Sequence, residues 1–170
     1  NPELSGLNWY GSSIAYGSSL PIATNTLNAK ENVDGNIEIK IKGHSTSGSL
    51  NAFHTIEVHI NEPNSSKIGN TVSWSGNSNR TISATIEGEN LNSTGNTFFI
   101  KNLSNDDNSS PYFDYLTMKY GKELIYSENG LEFFSPIKNA NVRFNFDSII
   151  PSDVIALDIT NPSQPKLVDV

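Results

Sequence analysis

The chain has 170 residues, a formal net charge of −7 and no cysteine. Its length suits a single domain, with a two-sheet β architecture equally comfortable, and its acidic balance argues against nucleic acid or anionic lipid as a partner, since both call for a basic face. Without cysteine the chain holds no disulfide, no thiolate metal site and no cysteine nucleophile.

The opening segment NPELSGLNWY lacks the basic and apolar regions of a signal peptide and reads as a start left after something was removed. No run approaches the roughly eighteen apolar residues of a membrane span, so membrane insertion is not expected. Asparagine and serine are abundant, and both compete with helices for backbone hydrogen bonds. Alternation with a period of two recurs instead. Ile37, Ile39 and Ile41 alternate with Glu38, Lys40 and Lys42, and His54, Ile56, Val58 and Ile60 alternate with Thr55, Glu57 and His59. Ile82, Ala84 and Ile86 repeat the pattern. Further strands are predicted at 97–101, 113–120, 131–134 and 154–159, and Val142, Phe144 and Phe146 alternate once more.

Between these runs lie turn signals at 61–64, 87–90, 93–96 and 128–130, and polar loops at 77–79 and 104–110. About ten short strands, each with one apolar and one wet face, predict an all-β, antiparallel sandwich. The domain is expected to span residues 1–146, with Ile39, Val58, Ile86 and Phe144 in its core. Residues 147–170, carrying Pro151, Pro162 and Pro165, read as a C-terminal strand and linker segment.

All three histidines fall within 44–59. Strand geometry places His54 on the apolar face and His59 on the opposite one, so the two cannot share an ion unless a bulge intervenes. The expectation is a part-buried, hydrogen-bonded His54 at the sheet margin, with His44 and His59 on the surface. Asp106 and Asp107, in the run Asn105–Asn108, could offer oxygen ligands to Ca²⁺, but they lack the spaced pattern of an EF-hand. Trp9, Tyr10, Trp74 and Tyr112 are candidates for a sugar-stacking platform, set against the commoner core role of strand aromatics. No nucleophile elbow, metalloprotease helix motif, phosphate loop or paired-carboxylate motif is present, so no catalytic residue is assigned. The Asn-x-Ser/Thr sites at Asn64, Asn79, Asn92, Asn102 and Asn108 are expected from composition alone.

Four stretches carry a family resemblance. Gly43–Ser45 leading into His54–Asn61 resembles a strand pair of the jelly-roll domains in gingipain-like proteins. Leu91–Ile100 is similar to the step that follows it, and Phe113–Leu124 to a later strand of those domains. Val154–Val168 resembles the passage found just before the caspase-like catalytic domain of that family, which includes secreted cysteine peptidases and the sortase of the type IX secretion system of Bacteroidetes. The resemblance implies a jelly-roll sandwich, galactose-binding-domain-like in character, lying N-terminal to a peptidase domain of an exported, secreted or surface protein. The catalytic cysteine and histidine of the family belong to that following domain, so none is carried over onto this chain. The implied role is structural support or recognition of a substrate protein, with the downstream caspase-like domain as partner. The alternative is a carbohydrate-binding module with a glycan ligand and structural calcium. A stand-alone hydrolase working through a carboxylate pair is the further rival.

Overall fold

The computed structural model describes residues 10–48, 50–65, 67–125 and 155–168. They fall in two compact units, Asn1–Lys122 and Glu123–Val170. The strands expected at 131–134 and 142–146, the turn at 128–130, core residue Phe144 and the 146/147 boundary lie outside the described residues.

In the first unit seven strands form an antiparallel β-sandwich of jelly-roll type. One sheet runs in the order β1 (Ser19–Thr24), β6 (Asn96–Asn102), β3 (Phe53–Ile60), β4 (Lys67–Ser75). The other runs β5 (Asn79–Ile86), β2 (Gly35–Lys42), β7 (Tyr112–Lys119). A single 3₁₀ turn, Gly88–Asn90, replaces the simple turn expected at 87–90. In the second unit β8 (Ala156–Asp158) and β9 (Lys166–Val168) make a short hairpin.

The alternation explains the core. Ile37, Ile39 and Ile41 of β2 face inward with Ile82 and Ile86 of β5, and they meet Ile56, Val58 and Ile60 of β3 with Phe98 and Ile100 of β6. Ile39 and Ile86 are fully buried and Val58 nearly so, as the pattern predicts. Burying these branched and aromatic side chains contributes roughly 1.5–3 kcal/mol each. The sandwich ends are polar. Asn96 and Asn102, at the two ends of β6, point inward and are buried. Asn96 bonds Thr26 and the Asn92 carbonyl, while Asn102 Nδ2 donates to the Ile14 and Ser109 carbonyls. Each closes an end of the core by satisfying backbone groups that the ladders leave open.

A bulge between Lys40 and Ile41 sets how β7 lies on β2. It inserts Asp114 as an extra residue, so that Phe113 turns inward beside Ile41 while Tyr115 turns outward beside Lys40.

Candidate functional site

The three histidines lead separate lives. His54 follows the inward phase of β3 and stacks at a tilt on Trp74, its ladder partner, with ring centroids 4.8 Å apart. It is fully buried rather than part-buried at the margin. The reason is the loop at 104–110, which folds over the start of β3. Asp106 accepts the Phe53 N–H at 2.9 Å, and Ser104 Oγ donates to the Phe53 carbonyl at 2.5 Å. Within that cover, Ser109 Oγ is hydrogen-bonded to His54 Nδ1 (2.8 Å) and to the Asn102 side-chain amide (3.1 Å from Nδ2, 3.3 Å from Oδ1). Burial pulls the His54 pKa down, opposed by the Gly76 backbone and Asp106 and reinforced by His44.

His59 was expected on the surface and is instead buried. It does point away from the core, but the turn at 61–65 folds back across it and the Ser65 carbonyl accepts its Nδ1–H at 2.7 Å. Its Nε2 lies 3.6 Å from the Glu57 carboxylate. His44 is half-buried, edge-on to Tyr112 at 4.7 Å. Among the described residues no group of three or more His, Cys, Asp or Glu is placed to hold a metal ion.

Ser109, His54 and Asp106 have the residue types of a hydrolytic triad without its geometry. Ser109 is 1% exposed, so no substrate carbonyl could reach its hydroxyl. Both Asp106 oxygens are engaged by N–H groups of Phe53 and Asn108, which hold its carboxyl below the usual range. Asp107 accepts from the Asn108 amide. These bonds make the pair a loop-shaping element (an Asx turn).

The four aromatic candidates do not share one surface. Trp9 lies outside the described residues. Tyr10 and Tyr112 stack on each other, 6.2 Å and 30° apart, where the N-terminal segment pairs with the start of β7. Trp74 is in the core, with Arg80 over its ring at 6.0 Å.

A different surface gathers polar chemistry. The outward phase of β2, β5 and β7 forms cross-strand rows: Thr85–Asn36–Lys119, Ser83–Glu38–Thr117 and Thr81–Lys40–Tyr115. A depression of about 430 Å³ is sunk into the first two rows. Tyr115, 40% exposed, donates to Glu38 at 3.3 Å and lies under Lys40, whose ammonium is 5.6 Å from the ring centre. Lys40 also meets Asp114 at 3.7 Å. From sequence the outer face near Glu38 and Lys40 is expected to be solvated or to meet a neighbouring domain; the signal is the polar half of the alternation, which carries no information on which strands lie side by side.

No family model matches the sequence, and no curated protein matches it. Among solved structures, 71% of the chain is similar to part of dimeric latent PorU from Porphyromonas gingivalis, with a TM-score of 0.56 at 10% identity. The match takes in 11% of that chain, so this sequence spans about a tenth of the protein it resembles. The C-terminal domain of EclA, a sugar-binding protein, aligns over 68% of the chain and 86% of its own length, with a TM-score of 0.43 at 10% identity. The carbohydrate-binding module CBM36, solved with calcium and xylotriose, aligns over 66% and 89%, with a TM-score of 0.42 at 11% identity. At these identities the likeness to PorU is one of fold, a β-sandwich domain.

Proposed function

We propose that the chain is a non-catalytic accessory β-sandwich of an exported gingipain-like protein, placed before a caspase-like domain, where it supports that domain or recognises its substrate. The observation that carries the reading is the likeness to part of latent PorU over 71% of the chain. The family-like stretches at 43–61, 91–100 and 113–124 support it, because they take in β3 with the connection before it, β6 and β7 of the same sandwich. The stretch at 154–168 takes in the β8–β9 hairpin, in which Asp158 bonds the Thr160 N–H and hydroxyl. In this reading that hairpin leads toward the peptidase domain. The chemistry fits a supporting role: the serine and histidine nearest to a catalytic arrangement are spent on holding the sandwich end together.

Export belongs to the same proposal. Among the described residues no helix is long and apolar enough to cross a membrane. Reading the encoding gene past Val170 tests the assignment. A caspase-like segment with a histidine and then a cysteine at strand ends is the expected result. A stop codon shortly after Val170, or a glycosidase domain there, overturns it.

A further inference from the structure

The outward face of β2, β5 and β7 offers a ligand surface, and its chemistry narrows what it can hold. Rows repeat every second residue along the strands, so they stand about 7 Å apart. Asn36, Thr81, Ser83, Thr85 and Thr117 present neutral hydroxyl and amide groups, each able to donate and to accept. The charges cancel locally. Lys40 is met by Asp114, and Glu38 stands in the row beside that of Lys119. A face so balanced, on a chain of net charge −7, does not draw a polyanion.

Ile37 and Ala84 help line the depression, but the outward rows hold no large aliphatic side chain that could anchor a protein partner in a desolvated pocket. An extended peptide adds to the edge of a sheet rather than to its face. What remains is a ligand rich in neutral hydroxyls with an apolar ring face. Tyr115 supplies an exposed aromatic surface for such a ring, fixed by its hydrogen bond to Glu38. The depression beside Ser83 and Thr117, about 430 Å³ in volume, is within the range of small-molecule sites. It exists because Ser83 and Thr117 are short where longer side chains would fill the middle row.

We propose that this face binds a neutral oligosaccharide laid across the rows, with one sugar in the depression between Ser83 and Thr117 and another against Tyr115. The proposal deepens the recognition role argued above and rests on it, naming the ligand class.

A glycan array probed with the 170-residue chain, followed by calorimetry on the neutral oligosaccharides it selects, tests this. Saturable binding of a neutral oligosaccharide is expected, weakened about tenfold by Tyr115→Ala and abolished by Ser83→Arg, which fills the depression. Asn70→Arg, on the exposed side of β4 in the other sheet, should bind as the unmodified chain does. All three positions are exposed, and an unchanged melting temperature shows that each variant folds. Silence toward every neutral glycan, preference for acidic oligosaccharides, or binding that survives Ser83→Arg overturns the proposal. If neutral glycans fail while a substrate protein of the adjoining peptidase is bound, the ligand class is wrong and the recognition role stands.

Discussion

His54 makes one end of the sandwich sensitive to pH. Its ring is sealed between Trp74 and Ser109, and burial favours the neutral form. Unfolded, the same side chain takes up a proton near its ordinary value of 6.5; folded, it does so only at lower pH. Below 6.5 the unfolded chain therefore binds more protons than the fold. The stabilisation is fully present above that value and is lost as pH drops toward the depressed one, by roughly 1 kcal/mol per pH unit. Urea unfolding at a series of pH values should show this slope, and His54→Gln should flatten it. Parallel slopes for the two proteins would assign the dependence to another group. Asp106, held low by the Phe53 and Asn108 N–H groups, loses its contribution as pH falls through the carboxylate range. The inward phase of His54 was legible in the alternation of β3. The burial of His59 was not, because a strand's pattern reports the face a side chain points to and nothing about the turn that folds over it.

Strands with clean alternation were legible as elements: β2, β3, β5, β6 and β7 all lie where the pattern predicts. β1 and β4 escaped notice for identifiable reasons. β1 is an edge strand carrying Pro21, which breaks the usual strand signature. In β4, Gly69 has a φ of +67°, the register slips against β3 between Ile56 and Val58, and Asn70 interrupts the apolar phase of Ile68, Val72 and Trp74. Glycine also marks where elements pass closely. A Cβ on Gly43 would collide with the Gly76 carbonyl and come within 2.8 Å of Trp74 Nε1, just where the end of β2 crosses the β4–β5 turn. Backbone cannot yield there as a side-chain tip can. Gly43→Ala should therefore cost about 1–3 kcal/mol in denaturant unfolding, while Thr46→Ala, on the exposed turn nearby, should stay within about 0.5 kcal/mol. Equal effects would mean that the crossing has slack.

At the scale of the whole molecule, the alternation specifies faces but not neighbours. Nothing in it says that β1 pairs with β6, or β2 with both β5 and β7. The candidate ligand face depends on those pairings, which is why it was not legible, whereas the sandwich class was. The pairings also bear on where folding autonomy resides. Every buried residue of the described core, from Ile14 to Ile100, belongs to Asn1–Lys122, and so do the half-buried residues packed on it. The Asn96 and Asn102 networks that close the two ends draw only on the same unit. Residues 1–122 expressed alone should thus unfold in one cooperative transition, since small single domains with a complete core do so. Tryptophan fluorescence is a suitable reporter, because Trp74 is buried against His54 and shifts to the red when it meets water. Coincident fluorescence and circular-dichroism transitions would place the folding unit before residue 123. A broad, non-cooperative melt would mean that residues 123–170 complete the sandwich, and the core described by Ile39, Val58 and Phe98 would then be only part of what holds it together.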